Sequence, residues 1–281
     1  AVQPDNDALI EVVLDIPVVA VPTRFHHEAA LKLAEAGVHT LVEKPIAHTV
    51  DAGREMTDAF TSRGLVGAVG HDELSNPTLQ EPRRRLANGD VGEVYQIATR
   101  RQSTFPSRIA DVGVGKDLAS HDIDLTAWVA QSDYRSVFAQ TNFKSGREHE
   151  DMIAVTGRLA NDIIVSHLVN WLSPMKERVT VVTGDRGTYI ADTATGDLTF
   201  FANGTIPLEW DSVSSFRGVS EGDVTRFSFA KREPLRVEHE AFRDAVLGLP
   251  SDVVTMEQGL HTLEVIEGAL ESARTGLSVT F

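Results

Sequence analysis

The sequence predicts an α/β chain in two parts. A parallel sheet with covering helices comes first, and a domain with a large, mainly antiparallel open sheet and helices follows. Two observations carry this. Over residues 16–70, apolar runs of strand length alternate with segments of helical spacing, as right-handed βαβ units require. After Gly92 the texture changes to short alternating segments joined by Gly-containing turns, the pattern of hairpins in a half-covered sheet. The boundary is placed at Asn76-Pro77, so residues 1–75 form the first part and 76–281 the second.

Taken in order, residues 7–14 carry Leu9, Ile10, Val13 and Leu14 at helical spacing. Residues 16–21 read as a buried parallel strand ending at Pro22-Thr23. A helix over 26–36 follows, with Ala29, Ala30, Leu33 and Ala34 on one face and Gly37 beyond its end. Strand 38–42 leads into Glu43-Lys44-Pro45. Thr49 is placed to cap a helix over 50–62, and strand 65–70 ends at His71. A helix after Asn76-Pro77 runs to about residue 86. In the second part, strands are expected near 93–101, 137–141, 152–158, 163–168, 179–183, 188–191 and 198–202, with a helix over 122–130. Helices over 234–247 and 255–274 close the chain.

Composition narrows the function classes. A net charge of −15 opposes binding to nucleic acid or an anionic membrane, since both reward basic surfaces. The absence of cysteine excludes disulfides, thiolate metal sites and a thiol nucleophile. The longest apolar runs are strand-sized, too short for a membrane span, and no leader pattern opens the sequence, so a cytoplasmic protein is expected.

Three clusters carry the chemistry. Pro22-Thr23-Arg24-Phe25-His26 leads from a strand into a helix, whose first N–H groups suit phosphate or a polar cofactor edge; a plain βα loop with a capping histidine is the alternative. Glu43-Lys44-Pro45 stands at the C-terminal edge of a parallel sheet, where ligands bind, although such a pair is also common as a solvated one. A peptide before proline can be cis, which would aim the lysine. The third is Asp117-x-x-x-His121-x-x-Asp124. If that segment is helical from Asp117, these residues share one side, and an imidazole beside a carboxylate suits acid–base work near neutral pH. A capping Asp117 with a surface histidine is the bland alternative, and a metal pair has no third ligand by spacing. No metal site is expected.

The ordered set Pro22-Thr23-x-x-His26, Glu43-Lys44-Pro45, Gly70-His71, Gly89-x-x-Gly92 and Asp117-x-x-x-His121-x-x-Asp124 resembles the Gfo/Idh/MocA family of oxidoreductases over nearly the whole chain. The resemblance implies hydride transfer between NAD or NADP and a sugar or cyclitol hydroxyl. It implies catalytic roles for Lys44, Asp117 and His121, and a cofactor side lined by Pro22, Thr23, His26, Glu43, Pro45 and His71. A narrower likeness, Arg108-Ile109-x-Asp111-Val112-Gly113-Val114 and Asn170-Trp171-Leu172-Ser173-Pro174-x-Lys176-x-Arg178, is to the branch acting on position 3 of UDP-N-acetylglucosamine-type sugars. Arg108, Asp124, Asn170, Lys176 and Arg178 are therefore expected on the substrate side. Arg108, Lys176 and Arg178 either serve a diphosphate or form structural ion pairs.

Two departures are visible. Leu74-Ser75 stand where the family usually has Arg-Phe. The family also opens with a strand, a glycine-rich turn and a helix, and this sequence begins past them. A partial, N-terminally truncated Rossmann-type sheet is expected, with an exposed edge at the strand near residue 16. Two functions follow as expectations: an NAD(P)-dependent sugar dehydrogenase, or a non-catalytic homologue serving binding or assembly. A homodimer or homotetramer through the C-terminal sheet is implied by the resemblance.

Overall fold

The computed structural model describes residues 16–106, 112–204 and 220–281. The expected helix over 7–14 and Arg108 lie outside the described residues. Strands β1 (Val18–Val19), β2 (Thr40–Glu43) and β3 (Gly67–Gly70) form a parallel sheet in that order. Leu41 and Val42 of central β2 are fully buried, each contributing about 1.5–3 kcal/mol by burial. β1 is shorter than the apolar run predicts, because Pro17 and Pro22 bracket it. Among the described strands it forms an edge, with Ile16, Val18 and Val21 exposed.

Helix α1 (His26–Glu35) buries Ala29, Ala30, Leu33 and Ala34, and Gly37 follows with φ +74°. Helix α2 (Val50–Ser62) is capped by Thr49, whose side chain accepts the Ala52 N–H at 3.3 Å. Helix α3 (Pro77–Ala87) starts with Asn76 as cap and proline in its first turn, where a missing N–H costs nothing.

The second sheet contains β4 (Val94–Thr104), β5 (Tyr134–Asn142), β6 (Met152–Leu159), β7 (Ile164–Asn170), β8 (Leu172–Gly184), β9 (Gly187–Asp192), β10 (Asp197–Gly204), β11 (Ser220–Phe227) and β12 (Val279–Thr280). Their order is β11-β10-β9-β8-β4-β7-β6-β5-β12. Every neighbouring pair is antiparallel except β4 with β7. β8 begins well before the expected residue 179, and β11 and β12 are unanticipated.

One face of this sheet is covered by α4 (Ser120–Ala130) and α6 (Met256–Thr275). α6 also reaches the first sheet: the Val69 N–H donates to the Val254 carbonyl at 2.9 Å, and Gly259 lies against Val69 so closely that a Cβ there would stand 2.5 Å from it. α5 (Pro234–Val246) packs Phe242 onto Leu41 and Ala68. The last two helices thus fold back and fix the first sheet against the second. No helix among the described residues is long and apolar enough to cross a membrane.

Candidate active site

β2 delivers Lys44 to the seam between the sheets. The Lys44–Pro45 peptide is cis. Val42 before the lysine and Ile46 and Ala47 beyond it are fully buried, so the backbone is anchored on both sides. Lys44 Nζ donates to Asp117 Oδ1 at 2.8 Å and to the Asp117 carbonyl at 2.7 Å. Both side chains are mostly buried, at 16% and 11% exposure, so the pair is far better shielded than a surface salt bridge. Asp117 sits in a π-helical turn, Gly115–Ala119, that runs directly into α4. The condition of a regular helix from Asp117 is met only from Ser120 onward, and the wider turn before it rotates Asp117 relative to His121 and Asp124.

His121 faces the same seam. Burial lowers its pKa well below the ordinary imidazole value, and the charge of Lys44 lowers it further, followed by those of Arg101, His71 and Arg178. The ring is therefore neutral at neutral pH and able to accept a proton. Asp72, Glu73 and His121 bring possible ligand atoms within 4.8 Å of one another, a grouping the spacing of the sequence did not show. Glu73 is already engaged: Oε1 accepts from Thr193 at 2.7 Å and Oε2 from Arg101 at 3.3 Å. With Lys44, Arg101 and Arg178 nearby, the surroundings suit an anionic group better than a metal ion.

Arg101 is the site residue the reading missed. It is 4% exposed and also donates to Asp122 Oδ1 at 2.8 Å, so one guanidinium holds two buried carboxylates. A signal was available: Arg101 falls on the same face of β4 as buried Ile97 and Thr99.

The remaining candidates divide. Glu43 is half-buried beside Gly70, where a side chain would meet the Glu43 carboxylate at 3.3 Å. Burial raises the Glu43 pKa, with Asp72 adding to it. Pro22 is exposed and Thr23 half-buried, in a short 3-10 turn (Thr23–Phe25) that opens α1. His26 is 1% exposed, with its ring nitrogens 3.0 Å from the Pro45 carbonyl and 2.9 Å from the Val21 carbonyl. It braces the ends of β1 and β2 rather than presenting a ring to a ligand, and Pro45 is buried with it. His71 is 3% exposed and pairs with Asp124, Nδ1 to Oδ2 at 3.4 Å, while Asp124 Oδ1 accepts from Thr262 at 3.2 Å. Both are buried, and in this arrangement each side chain faces the other. Asn170 is buried and donates to Gln102 Oε1 at 2.8 Å, so its amide ties β7 to β4. Lys176 is exposed and makes no ion pair among the described residues. Arg178, two residues along the same face of β8, points into the seam 3.8 Å from Glu73.

The residues at the C-terminal ends of β1–β3 fit the nicotinamide half of a dinucleotide, since Gly70 lets the Glu43 carboxylate lie close against the end of β3 and the α1 N-terminus lies at the same edge. Residues 2–71 match the family described as an oxidoreductase family with an NAD-binding Rossmann fold, and residues 79–190 match the GFO/IDH/MocA C-terminal domain. The chain belongs to the Gfo/Idh/MocA oxidoreductase family.

Among its relatives, UDP-N-acetylglucosamine 3-dehydrogenase of Acidithiobacillus ferrooxidans is 27% identical over 247 residues, covering 86% of this chain and 73% of that protein. The NAD(+)-dependent scyllo-inositol 2-dehydrogenase of Bacillus subtilis is 22% identical over 279 residues, covering 95% and 77%. The solved structure of the Acidithiobacillus enzyme superposes with a TM-score of 0.82 at 22% identity, covering 96% of this chain and 82% of that one. A Bordetella pertussis dehydrogenase bound to NADH and UDP-GlcNAcA gives 0.77 at 23% identity, covering 99% and 82%. At these identities the structural likeness establishes the Gfo/Idh/MocA fold, an NAD-binding sheet followed by the large mixed one.

Proposed function

We propose that this Gfo/Idh/MocA chain oxidises a secondary hydroxyl of a nucleotide-linked sugar, with Lys44, Asp117 and His121 as the reacting group. The observation that carries the reading is the buried Lys44–Asp117 pair beside a neutral imidazole, at the C-terminal edge of the NAD-binding sheet. Oxidising a carbinol needs a base for the O–H proton and a cation for the developing alkoxide. His121, held neutral by burial and by Lys44, takes the proton. Lys44, fixed by the two hydrogen bonds it donates to Asp117, presents its ammonium to the oxygen. Asp117 orients the lysine and accepts from a neighbouring sugar hydroxyl. Glu43, Thr23 and Pro22 would hold the nicotinamide and ribose, and the bound cofactor supplies the hydride acceptor.

A nucleotide-linked substrate is supported by Arg178 and Lys176, which stand on one face of β8 and leave positive charge for a diphosphate. The name of the Acidithiobacillus relative points the same way. The outer face of the large sheet exposes Phe138, Ile164 and Phe201, and we assign it to pairing with a second copy. Light scattering that returns a monomer would remove that assignment.

The test is binding of NADH by fluorescence or calorimetry, followed by oxidation of UDP-N-acetylglucosamine monitored at the nicotinamide absorbance. Binding with turnover is expected. No binding at millimolar cofactor would favour the second reading, a non-catalytic binding or assembly protein on the same sheet.

A further inference from the structure

The π-turn that carries Asp117 begins without a cap of its own. Val114, the residue before it, has no polar side chain, and the first N–H groups of a helical segment need acceptors from elsewhere. Glu150 supplies them from the second sheet. Its Oε1 accepts the Gly115 N–H at 2.9 Å, and its backbone carbonyl accepts the Val114 N–H at 3.1 Å. Gly115 opens a helical run that continues through α4, and a carboxylate at that N-terminal end is favoured by the dipole of the run.

The fit is close. A Cβ on Gly113 would stand 2.1 Å from Glu150 Oε1 and one on Gly115 3.0 Å, so the carboxylate enters the turn only because both positions are glycine. Glu150 is 7% exposed and lies just before β6. Asp151 beside it is tied on both sides: its N–H donates to the Asn142 carbonyl at 2.9 Å, and its carbonyl accepts from the Trp171 N–H at 2.9 Å. The cap therefore stands on a fixed part of the sheet.

The same turn leads to the reacting pair. The Asp117 N–H donates to the Gly113 carbonyl at 3.1 Å, so the residue that Glu150 packs against also holds the Asp117 backbone. The Asp117 carbonyl accepts from Lys44 Nζ at 2.7 Å and from Ser120 Oγ at 3.2 Å. We propose that Glu150 is a positioning residue of the active site, which seats the π-turn on the second sheet and so aims Asp117 at Lys44. The proposal deepens the dehydrogenase reading above and rests on it. Without the Glu150 acceptor, the segment is free to relax to the tighter α-helical turn, which shifts Asp117 around the helix axis and away from the lysine. Glu150 acts through the backbone of the turn, not on the substrate.

Two readouts on the full chain test this. One is acetylation of Lys44 by an amine-reactive ester, followed by peptide mass spectrometry, with exposed Lys176 as internal control. The other is turnover. Glu150→Ala should speed Lys44 acetylation several-fold, leave Lys176 unchanged, and lower kcat by roughly 10²-fold with the KM for the cofactor little altered. Glu150→Asp withdraws the carboxylate by one methylene and should show both defects in milder form, which keeps the test open if Glu150→Ala does not fold. Glu150→Gln retains an acceptor at Oε1 and should restore slow acetylation and most of the turnover. Acetylation of Lys44 and kcat equal to wild type in Glu150→Ala and Glu150→Asp overturn the proposal. A lower urea midpoint with both readouts unchanged makes Glu150 a structural cap only and overturns it as well. A wild-type chain with no turnover sinks the dehydrogenase reading alone, because Lys44 acetylation still reports whether Glu150 holds the pair together.

Discussion

Lys44 Nζ donates twice to Asp117, to its side chain at 2.8 Å and to its own backbone carbonyl at 2.7 Å. Lys44 follows β2 of the first sheet and Asp117 sits in the π-helical turn before α4, so the pair joins the two parts across 73 positions of sequence. A lysine normally loses about 2 kcal/mol of rotamer freedom when it is fixed. Here that ordering is completed by the fold before any substrate arrives, which is what a group that must meet a developing negative charge requires.

Lys44→Met should therefore lower kcat by roughly 10² to 10⁴-fold while leaving NADH binding within a small factor of wild type. Cofactor titration and steady-state kinetics on the same preparation separate the two effects. Wild-type-like turnover would take Lys44 out of the mechanism.

Arg101→Met is expected to destabilise by about 3–5 kcal/mol, because it strands Glu73 and Asp122 in the interior. The sign of its pH dependence follows from Glu73. Burial raises the Glu73 pKa, but Arg101 and Thr193 outweigh it and hold the group below 4.5. Its contribution is present above 4.5 and is lost as pH falls through the depressed folded value. The deficit of the variant should thus be full at neutral pH and shrink in acid. Urea melts at two pH values measure it, and equal deficits at both would refute the assignment to charge.

The strand and helix order of residues 16–87 was legible because local signals agree with the tertiary structure there, as with Thr49 before α2 and Asn76-Pro77 before α3. The Lys44–Asp117–His121 grouping was legible only through the ordered motifs. What escaped were features set by long-range packing. The π-turn adds a residue to the turn at Asp117, and no composition signal marks it. Asp124 looked like a partner for His121 at helical spacing, yet the rotated helix aims it at Thr262 and His71. β11 is placed among the described strands by its pairing with β10, a contact no local signal marks.

Gly259→Ala tests how tightly α6 fixes the first sheet. The added Cβ would stand 2.5 Å from Val69 Cγ2, inside contact distance, in a part of the structure where both backbones are held. A loss of about 1–3 kcal/mol is expected, read as a lower urea midpoint. An unchanged midpoint would mean that the helix shifts freely on the sheet.

Glu238 gives a change of opposite sign. It lies on α5, 5% exposed, with both carboxylate oxygens unpartnered, and burial pushes its pKa up to about 8, with Glu43 and Asp72 adding to the shift. Below 4.5 the group is protonated in both folded and unfolded chains and has no effect on stability. Between 4.5 and about 8 the folded chain binds a proton that the unfolded chain does not. Stability therefore falls by up to about 1.4 kcal/mol per pH unit over that window and is level above it. Glu238→Gln removes the titration while keeping the shape. It should match wild type near pH 4.5 and exceed it by a few kcal/mol at pH 8 and above. Denaturation at the two pH values decides it: a gain that is the same at both would mean that the glutamine stabilises by a new hydrogen bond, and that the carboxyl is not strained by its burial.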